Sequence, residues 1–232
     1  MLYSRSIIMN CVNLNCVVYY KNAEDCFIDL ERMIIMFKKI INKKTIIVIV
    51  NGGPFHVDEV ACVALLKLIY KEVIVIRKSK VDLEIEDADY ILGIGGINRV
   101  SDTQVVLDQH HSLELIDGTQ IKHCTFSKLI EYMLDNPDPL FKKYLMNELV
   151  LPVSSQENGQ NCYEFGLISS PLGFVNAMRL SWKDDKKLSD YRFSEVVEIA
   201  TKVIEIIIKN IKDDVEAYNI AKKAIKKAKR NI

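Results

Sequence analysis

The sequence lacks the patterns that mark a membrane protein, a secreted protein or a zinc module. Its 232 residues carry 31 Lys and Arg against 31 Asp and Glu, so the overall charge indicates no nucleic-acid or membrane surface and leaves only a local basic groove as an alternative. The six cysteines form no C-x-x-C pair, which disfavours a zinc knuckle or redox motif and favours buried free thiols. No apolar run reaches bilayer length, and asparagines interrupt the first residues, so we expect a cytoplasmic protein with no membrane partner.

The common nucleotide-binding and hydrolase motifs are also missing. Gly52-Gly53-Pro54 is not followed by Gly-Lys-Ser/Thr, so it is not a Walker loop. Gly93-x-Gly95-Gly96 lacks the G-x-G-x-x-G spacing and opens no helix, which disfavours a dinucleotide site. No G-x-S-x-G elbow marks a serine hydrolase. Turn geometry is therefore the first interpretation of these glycines.

Strands and helices alternate after Lys44. The first apolar run is rich in β-branched residues, as expected of a strand that is buried on both faces. This alternation predicts an α/β fold with a mostly parallel, Rossmann-like sheet, followed by a helical layer. Residues 1–44 show no clear period and are expected to be an N-terminal extension, with a start at Met33 or Met36 and an accessory hairpin and helix as the two alternatives. Residues 45–232 are expected to form one α/β domain with C-terminal helices. The predicted strands are Thr45–Val50, Val73–Arg77, Asp87–Ile94 and Val105–Asp108.

The predicted helices follow the first strand and dominate the second half of the chain. The last of them is amphipathic and carries cations at its C-terminal end, where the helix dipole favours them. The predicted helices are Asp58–Lys71, Phe126–Leu134, Leu140–Leu149, a segment around Leu172–Trp182, Phe193–Ile211 and Val215–Arg230.

Histidine and acidic residues occur together at two predicted strand ends. His56-x-Asp58 follows the first strand, and Asp108-x-His110 closes the fourth. In an open parallel sheet, ligands collect at the carboxyl ends of strands, and imidazole with carboxylate suits Mn, Fe or Zn. The alternative for Asp58 is a simple helix cap. The two pairs together favour a metal or phosphate site at this edge of the sheet.

Five motifs in order resemble the Myg-type (melanocyte-proliferating-gene) hydrolases of the DHH phosphoesterase superfamily, which includes RecJ-like nucleases. They are FHVDE, YILGIGG, VVLDQHHS, LVLPVSSQENG and LISSPLGFVNAMRLSW. The resemblance spans roughly residues 45–211. It implies a DHH-type α/β domain and a metal-dependent phosphoesterase or exonuclease with a divalent ion, manganese being the expected one and magnesium or no ion the alternatives. The family's second, smaller domain is expected to be missing, because the chain ends after its helices.

The sequence departs from the family pattern at several ligand positions. A two-metal phosphoesterase needs many donors around two ions about 3.5–4 Å apart, and a glycine cannot bridge them. The resemblance therefore implies the fold more strongly than the activity. The departures are Asn51 for a leading histidine, Gly93 for the second-motif aspartate, Gln109 for the first histidine of D-H-H, and Ser154 and Glu157 for two aspartates, whereas Asn158-Gly159 is kept.

Three hypotheses follow. The first is a divergent metal-dependent phosphoesterase or nuclease with a partly lost metal site, acting on a phosphoester or oligonucleotide. The second is an inactive DHH-fold protein that binds a nucleotide, nucleic acid or protein partner. The third is an unrelated nucleotide-binding α/β domain. For the first, the expected metal ligands are His56, Asp58, Asp108 and His110, the catalytic residues His111 and His110, and the substrate-binding residues Gly95, Gly96 and Asn158.

Overall fold

A five-stranded sheet forms the centre of the described chain. The computed structural model describes residues 37, 40–110, 113–160, 170–179 and 185–230. Four strands are parallel, the fifth pairs antiparallel at one edge, and the order is β2-β1-β3-β5-β4. The predicted α/β class with a mostly parallel sheet is confirmed. The strands are β1 (Thr45–Asn51), β2 (Glu72–Lys78), β3 (Tyr90–Leu92), β4 (Arg99–Val100) and β5 (Val105–Leu107).

Alternation along β1 divides the core into two faces. Ile46, Val48 and Val50 belong to the main hydrophobic core, whereas Ile49 packs with residues such as Ile91 in a second, smaller cluster. Successive side chains of a strand point to opposite faces, so β1 contributes to both. This explains why its apolar run is continuous.

The strand order places a topological switch point between β1 and β3. From β1 the chain crosses to β2 on one side, and β3 then pairs with the other side of β1. Loops diverge at such a point and leave a crevice at the carboxyl ends of the strands, which is where open α/β sheets bind ligands. The segments after β1, β3 and β5 are therefore the ones that shape a site.

The helices pack on the main core face of the sheet. The first helix is buried along nearly its whole length because it packs against β1, β2 and the last helix. The helices are α1 (Val57–Ile69), α2 (Thr125–Met133), α3 (Pro139–Leu145), a π-helical turn (Met146–Val150), α4 (Leu151–Glu157), α5 (Phe174–Met178) and α6 (Lys186–Arg230).

Two helix predictions are corrected by the structure. The helices predicted at Phe193–Ile211 and Val215–Arg230 are one helix of 45 residues. No glycine or proline interrupts them, and Lys209 contacts Asp213 at 2.7 Å across the expected break. The helix predicted to end at Leu149 continues as the π-helical turn into α4, and Pro152 directly follows this local irregularity of the helix.

The strand predictions need smaller corrections. β3 is shorter than the predicted Asp87–Ile94, because Asp89 uses its side chain to accept from the backbone N–H of Ile47 at 2.8 Å, and Gly93 turns the chain with φ 70°. The two-residue strand β4 was not predicted. The main core begins before Thr45, since it already includes Phe37 and Ile41.

Other expectations concern the cysteines, the membrane and the remaining segments. Cys62 and Cys124 are buried free thiols, as predicted. In the described part of the chain, no helix combines the length and apolar character that crossing a membrane requires. Most of the predicted extension, His111 and part of the segment around Leu172–Trp182 lie outside the described residues.

Candidate functional site

The loop after β1 places a histidine against a carboxylate from another helix. We call this region, Asn51–Glu59 with Glu157, the β1 corner. His56 immediately precedes α1, and its Nδ1 lies 3.0 Å from Glu157 Oε1 at the end of α4. A carboxylate oxygen only accepts hydrogen bonds, so Nδ1 carries the proton and Nε2 is left for a ligand. The bond to Glu157 raises the pKa of His56 despite partial burial.

Asp58 is a fully buried carboxylate in the first turn of α1. Its Oδ1 accepts from the backbone N–H of Glu59 at 2.8 Å, and its Oδ2 accepts from that of Thr125 at 3.1 Å. Burial, with the nearby charge of Glu157, raises its pKa to about 7, although the bonds from Thr125 and the charge of His56 oppose the shift. Asp58 thus ties the start of α1 to the start of α2.

Glu59 fills the space beside the glycine that ends β3. Burial, followed by the charge of Asp58, raises the pKa of Glu59 well above its usual range. A Cβ atom at Gly93 would lie 2.7 Å from Glu59 Oε1, and Gly93 has a positive φ of 70°. The aspartate that the family resemblance expects at this position would therefore meet both a strained backbone and an occupied volume.

Arg77 fastens the β1 corner to the last helix. Its Nε donates to Asn51 O at 3.3 Å and its Nη2 to Gly53 O. Its Nη1 donates to Asp190 Oδ1 at 2.7 Å, and the guanidinium stands 4.9 Å from the centre of the Phe193 ring. Such fixed, multiple contacts suit the planar guanidinium, and they hold the glycine-rich turn in one conformation.

The loop after β5 carries the second histidine and acid pair. We call this region, Gly95, Gly96, Asn98 and Asp108–His110, the β5 corner. Asp108 Oδ2 accepts from Gly96 N at 2.8 Å, and Oδ1 accepts from His110 N at 3.0 Å and His110 Nδ1 at 2.6 Å. Burial raises the pKa of Asp108, but these bonds outweigh it and the pKa is lowered. The His110 side chain is 54% exposed.

The remaining motif side chains contact the surrounding fold. Ser154 Oγ lies 3.2 Å from Cys124 Sγ. Asn158 Nδ2 donates to backbone carbonyls, including Lys122 O at 3.0 Å and Ser154 O at 2.8 Å. Gln109 accepts a hydrogen bond from the Thr125 hydroxyl. Each of these three side chains therefore contacts another residue of the fold within hydrogen-bond distance.

The predicted site residues gather in the two corners. His56 and Asp58 share the β1 corner, and Asp108, His110, Gly95 and Gly96 share the β5 corner. Within the described ranges, no three His, Cys, Asp or Glu side chains are placed to hold a metal ion. The imidazoles and carboxylates of the two corners, as the structure places them, do not fit the divalent ion that the resemblance implies. An ion shared by the two corners therefore stays a prediction. The catalytic role of His111 also stays a prediction, because His111 lies outside the described residues.

Sequence reasoning missed three contacts that build the β1 corner. Glu157 stands where the family carries an aspartate, and that position could have suggested its pairing with His56. Arg77 was detectable as the single charge in the apolar run VIVIR. The backbone N–H of Thr125 leaves no signal in the sequence, because any residue but proline supplies one.

Comparisons with known proteins leave the chain without an identified relative: no protein-family model, no curated protein and no solved structure matches it.

Proposed function

We propose that this protein is a divergent DHH-type domain that binds a phosphoester-bearing ligand, such as a nucleotide, at the carboxyl edge of its sheet without hydrolysing it. The proposal rests on one observation: at the positions where the resemblance expects metal ligands, the side chains either are absent or contact the surrounding fold. Gly93 has no side chain, and Ser154 faces Cys124. Asp58 has a backbone N–H on each of its oxygens.

Two imidazoles remain for ligand binding. His56 and His110 each direct Nδ1 to a carboxylate, which fixes the ring and leaves Nε2 as a donor or acceptor. They follow β1 and β5, which are separated by one strand and hence by about 10 Å. This separation suits a ligand of nucleotide size, and protonated His56 supplies a charge-assisted bond to a phosphate oxygen.

A binding measurement tests this proposal. Calorimetry with nucleoside monophosphates at pH 6 and pH 8 should show tighter binding at pH 6, because His56 is protonated to a greater extent there. The double variant His56→Gln/His110→Gln should lose binding, and His123→Gln is the matched control, since that imidazole contacts Ser127 instead. Equal binding by the double variant and wild type would place the ligand elsewhere.

A turnover assay tests the absence of hydrolysis. Bound Mn, Fe and Zn are measured in the purified chain, and a generic phosphodiester and short oligonucleotides are incubated with added Mn²⁺. We expect no turnover above that of Asp58→Ala. Metal uptake with hydrolysis that Asp58→Ala abolishes would contradict the proposal.

That contrary result would support the alternative function, a metal-dependent phosphoesterase with a reduced site. One observation favours it. Asp58 and Glu59 are buried side by side near Glu157, and burial, followed by the neighbouring negative charge, raises the pKa of both. Clusters of carboxylates with perturbed pKa values are frequent at functional sites.

A further inference from the structure

The last third of α6 extends beyond the hydrophobic core. Val215 is the last residue of the helix that belongs to the core. We call residues 216–230 the basic arm. Its side chains from Ala221 to Lys229 are all exposed, and fifteen helical residues span about 22 Å.

After Glu216, the charge of the basic arm has one sign. Residues 217–230 contain no Asp or Glu, and six Lys and Arg residues lie within the nine positions from Lys222 to Arg230. At 100° per residue these six positions fall within an arc of roughly 160° of the helix. The opposite side carries Ala217, Ala221 and Ala224 near its middle and the exposed Ile220 and Ile225 at its margins. The arm therefore presents a continuous basic stripe.

Helix stability does not explain this stripe. Lys222 with Lys226, and Lys223 with Lys227, are like-charge pairs at i,i+4, which destabilise a helix. The helix dipole favours cations only in the last turn, and Lys222 and Lys223 lie further inside. The arrangement thus costs helix stability, and a polyanion lying along the stripe would offset that cost.

We propose that the basic arm binds the phosphate backbone of double-stranded nucleic acid. Six cations over about 12 Å of helix match the duplex, which carries one negative charge per roughly 1.7 Å of axis. Binders of single strands add aromatic platforms for the bases, whereas the one aromatic residue of the arm, Tyr218, contacts Lys222. A membrane-surface helix needs a broad bulky apolar face opposite its cations, whereas here alanines occupy the middle of that side and the exposed Ile220 and Ile225 lie only at its margins.

Fluorescence anisotropy of the full chain with a labelled 24-base-pair DNA duplex tests the inference. The variant Lys222→Gln/Lys223→Gln/Lys226→Gln/Lys227→Gln should bind at least tenfold more weakly at about 0.1 M salt. The slope of log K against log salt should fall by about 3 to 4, because each lost phosphate contact removes roughly 0.9. Glutamine and lysine have similar helix propensities, and circular dichroism verifies that the helix is retained.

Two matched variants complete the experiment. Arginine at the same four positions should restore binding, because charge and not lysine itself is required. Glutamine at the exposed lysines Lys71, Lys80, Lys142 and Lys143 should change affinity less than threefold. An equal loss in this second variant, or binding only to a single strand or to phosphatidylserine vesicles, would overturn the inference. The arm shares no residue with the two corners, so failure to bind mononucleotides there does not affect this outcome.

Discussion

The β1 and β5 corners each pair a histidine with an acid, but the pKa of the aspartate is raised in one corner and lowered in the other. In the β1 corner, burial beside other carboxylates raises the pKa of Asp58 to about 7. In the β5 corner, burial acts on Asp108 too, but backbone and imidazole donors outweigh it and lower the pKa. Donors contact both carboxylates, so deeper burial of Asp58, and after it the charge of Glu157, accounts for the contrast.

This contrast separates two uses of an acid at a strand end. Asp108 is an ionised acceptor that organises its loop and holds His110. Asp58 is held in an environment that resists ionisation, next to Glu59 and Glu157. We therefore expect Asp58 in the β1 corner to change protonation near neutral pH, and Asp108 in the β5 corner to stay ionised until the solution is acidic.

The largest expected effect tests the crowding of the β1 corner. Gly93→Ala places a Cβ 2.7 Å from Glu59 Oε1 at a positive φ, and it should destabilise the fold by about 4 kcal/mol from overpacking and backbone strain. Gly118→Ala is a matched control, because Gly118 has φ 72° and nothing within 4 Å. The control should cost only about 1 kcal/mol in urea unfolding. Equal costs would show that Glu59 does not crowd position 93.

A smaller loss is expected when the β5 corner loses its acceptor. Asp108→Ala removes the partner of Gly96 N, His110 N and His110 Nδ1, and it should destabilise the fold by about 3 kcal/mol at pH 7. The lowered pKa means that this contribution is present above the unfolded pKa and disappears as pH falls through the folded one. The loss measured at pH 7 should thus shrink at pH 2 to 3. The exposed Asp117→Ala is the control.

The opposite pH dependence is expected in the β1 corner. A carboxyl whose pKa is raised from 3.8 to about 7 contributes fully below the unfolded pKa and loses that contribution as pH rises to 7. Relative to wild type, Asp58→Asn should therefore gain up to about 1.4 kcal/mol per pH unit between pH 4 and pH 7. Urea unfolding at several pH values measures this, with Asp117→Asn as control. Parallel curves for wild type and Asp58→Asn would contradict a raised pKa.

The sequence was most informative where apolar pattern decides the structure. The apolar run of β1 and the buried α1 were predicted within a few residues, because burial on both faces leaves a continuous hydrophobic signal. The break expected near residues 212–214 was wrong, since charged residues there suit a helix as well as a turn. β4 has two residues and no pattern to detect.

The site was less predictable because its contacts join distant segments. The sequence placed His56 and Asp58 together, and Asp108 with His110, from spacing alone. It did not reveal that Glu157 approaches His56 from 101 positions away, or that Asp58 accepts from the backbone of Thr125. Such contacts depend on helix packing, and the backbone donors carry no side-chain identity.

The smallest effect tests whether the corners act independently. Glu157→Gln weakens the hydrogen bond to His56 and removes the charge of Glu157, which both raise the pKa of His56, so the imidazole should titrate at lower pH in NMR spectra. The same change should lower the pKa of Asp58, which also rises through Glu157. His123 is an internal reference, because burial and Lys128 keep its pKa low.

Asp108→Asn should leave the His56 titration unchanged. A shift of His56 in Asp108→Asn would mean that the corners are electrostatically coupled, and then a ligand at one would change the protonation of the other.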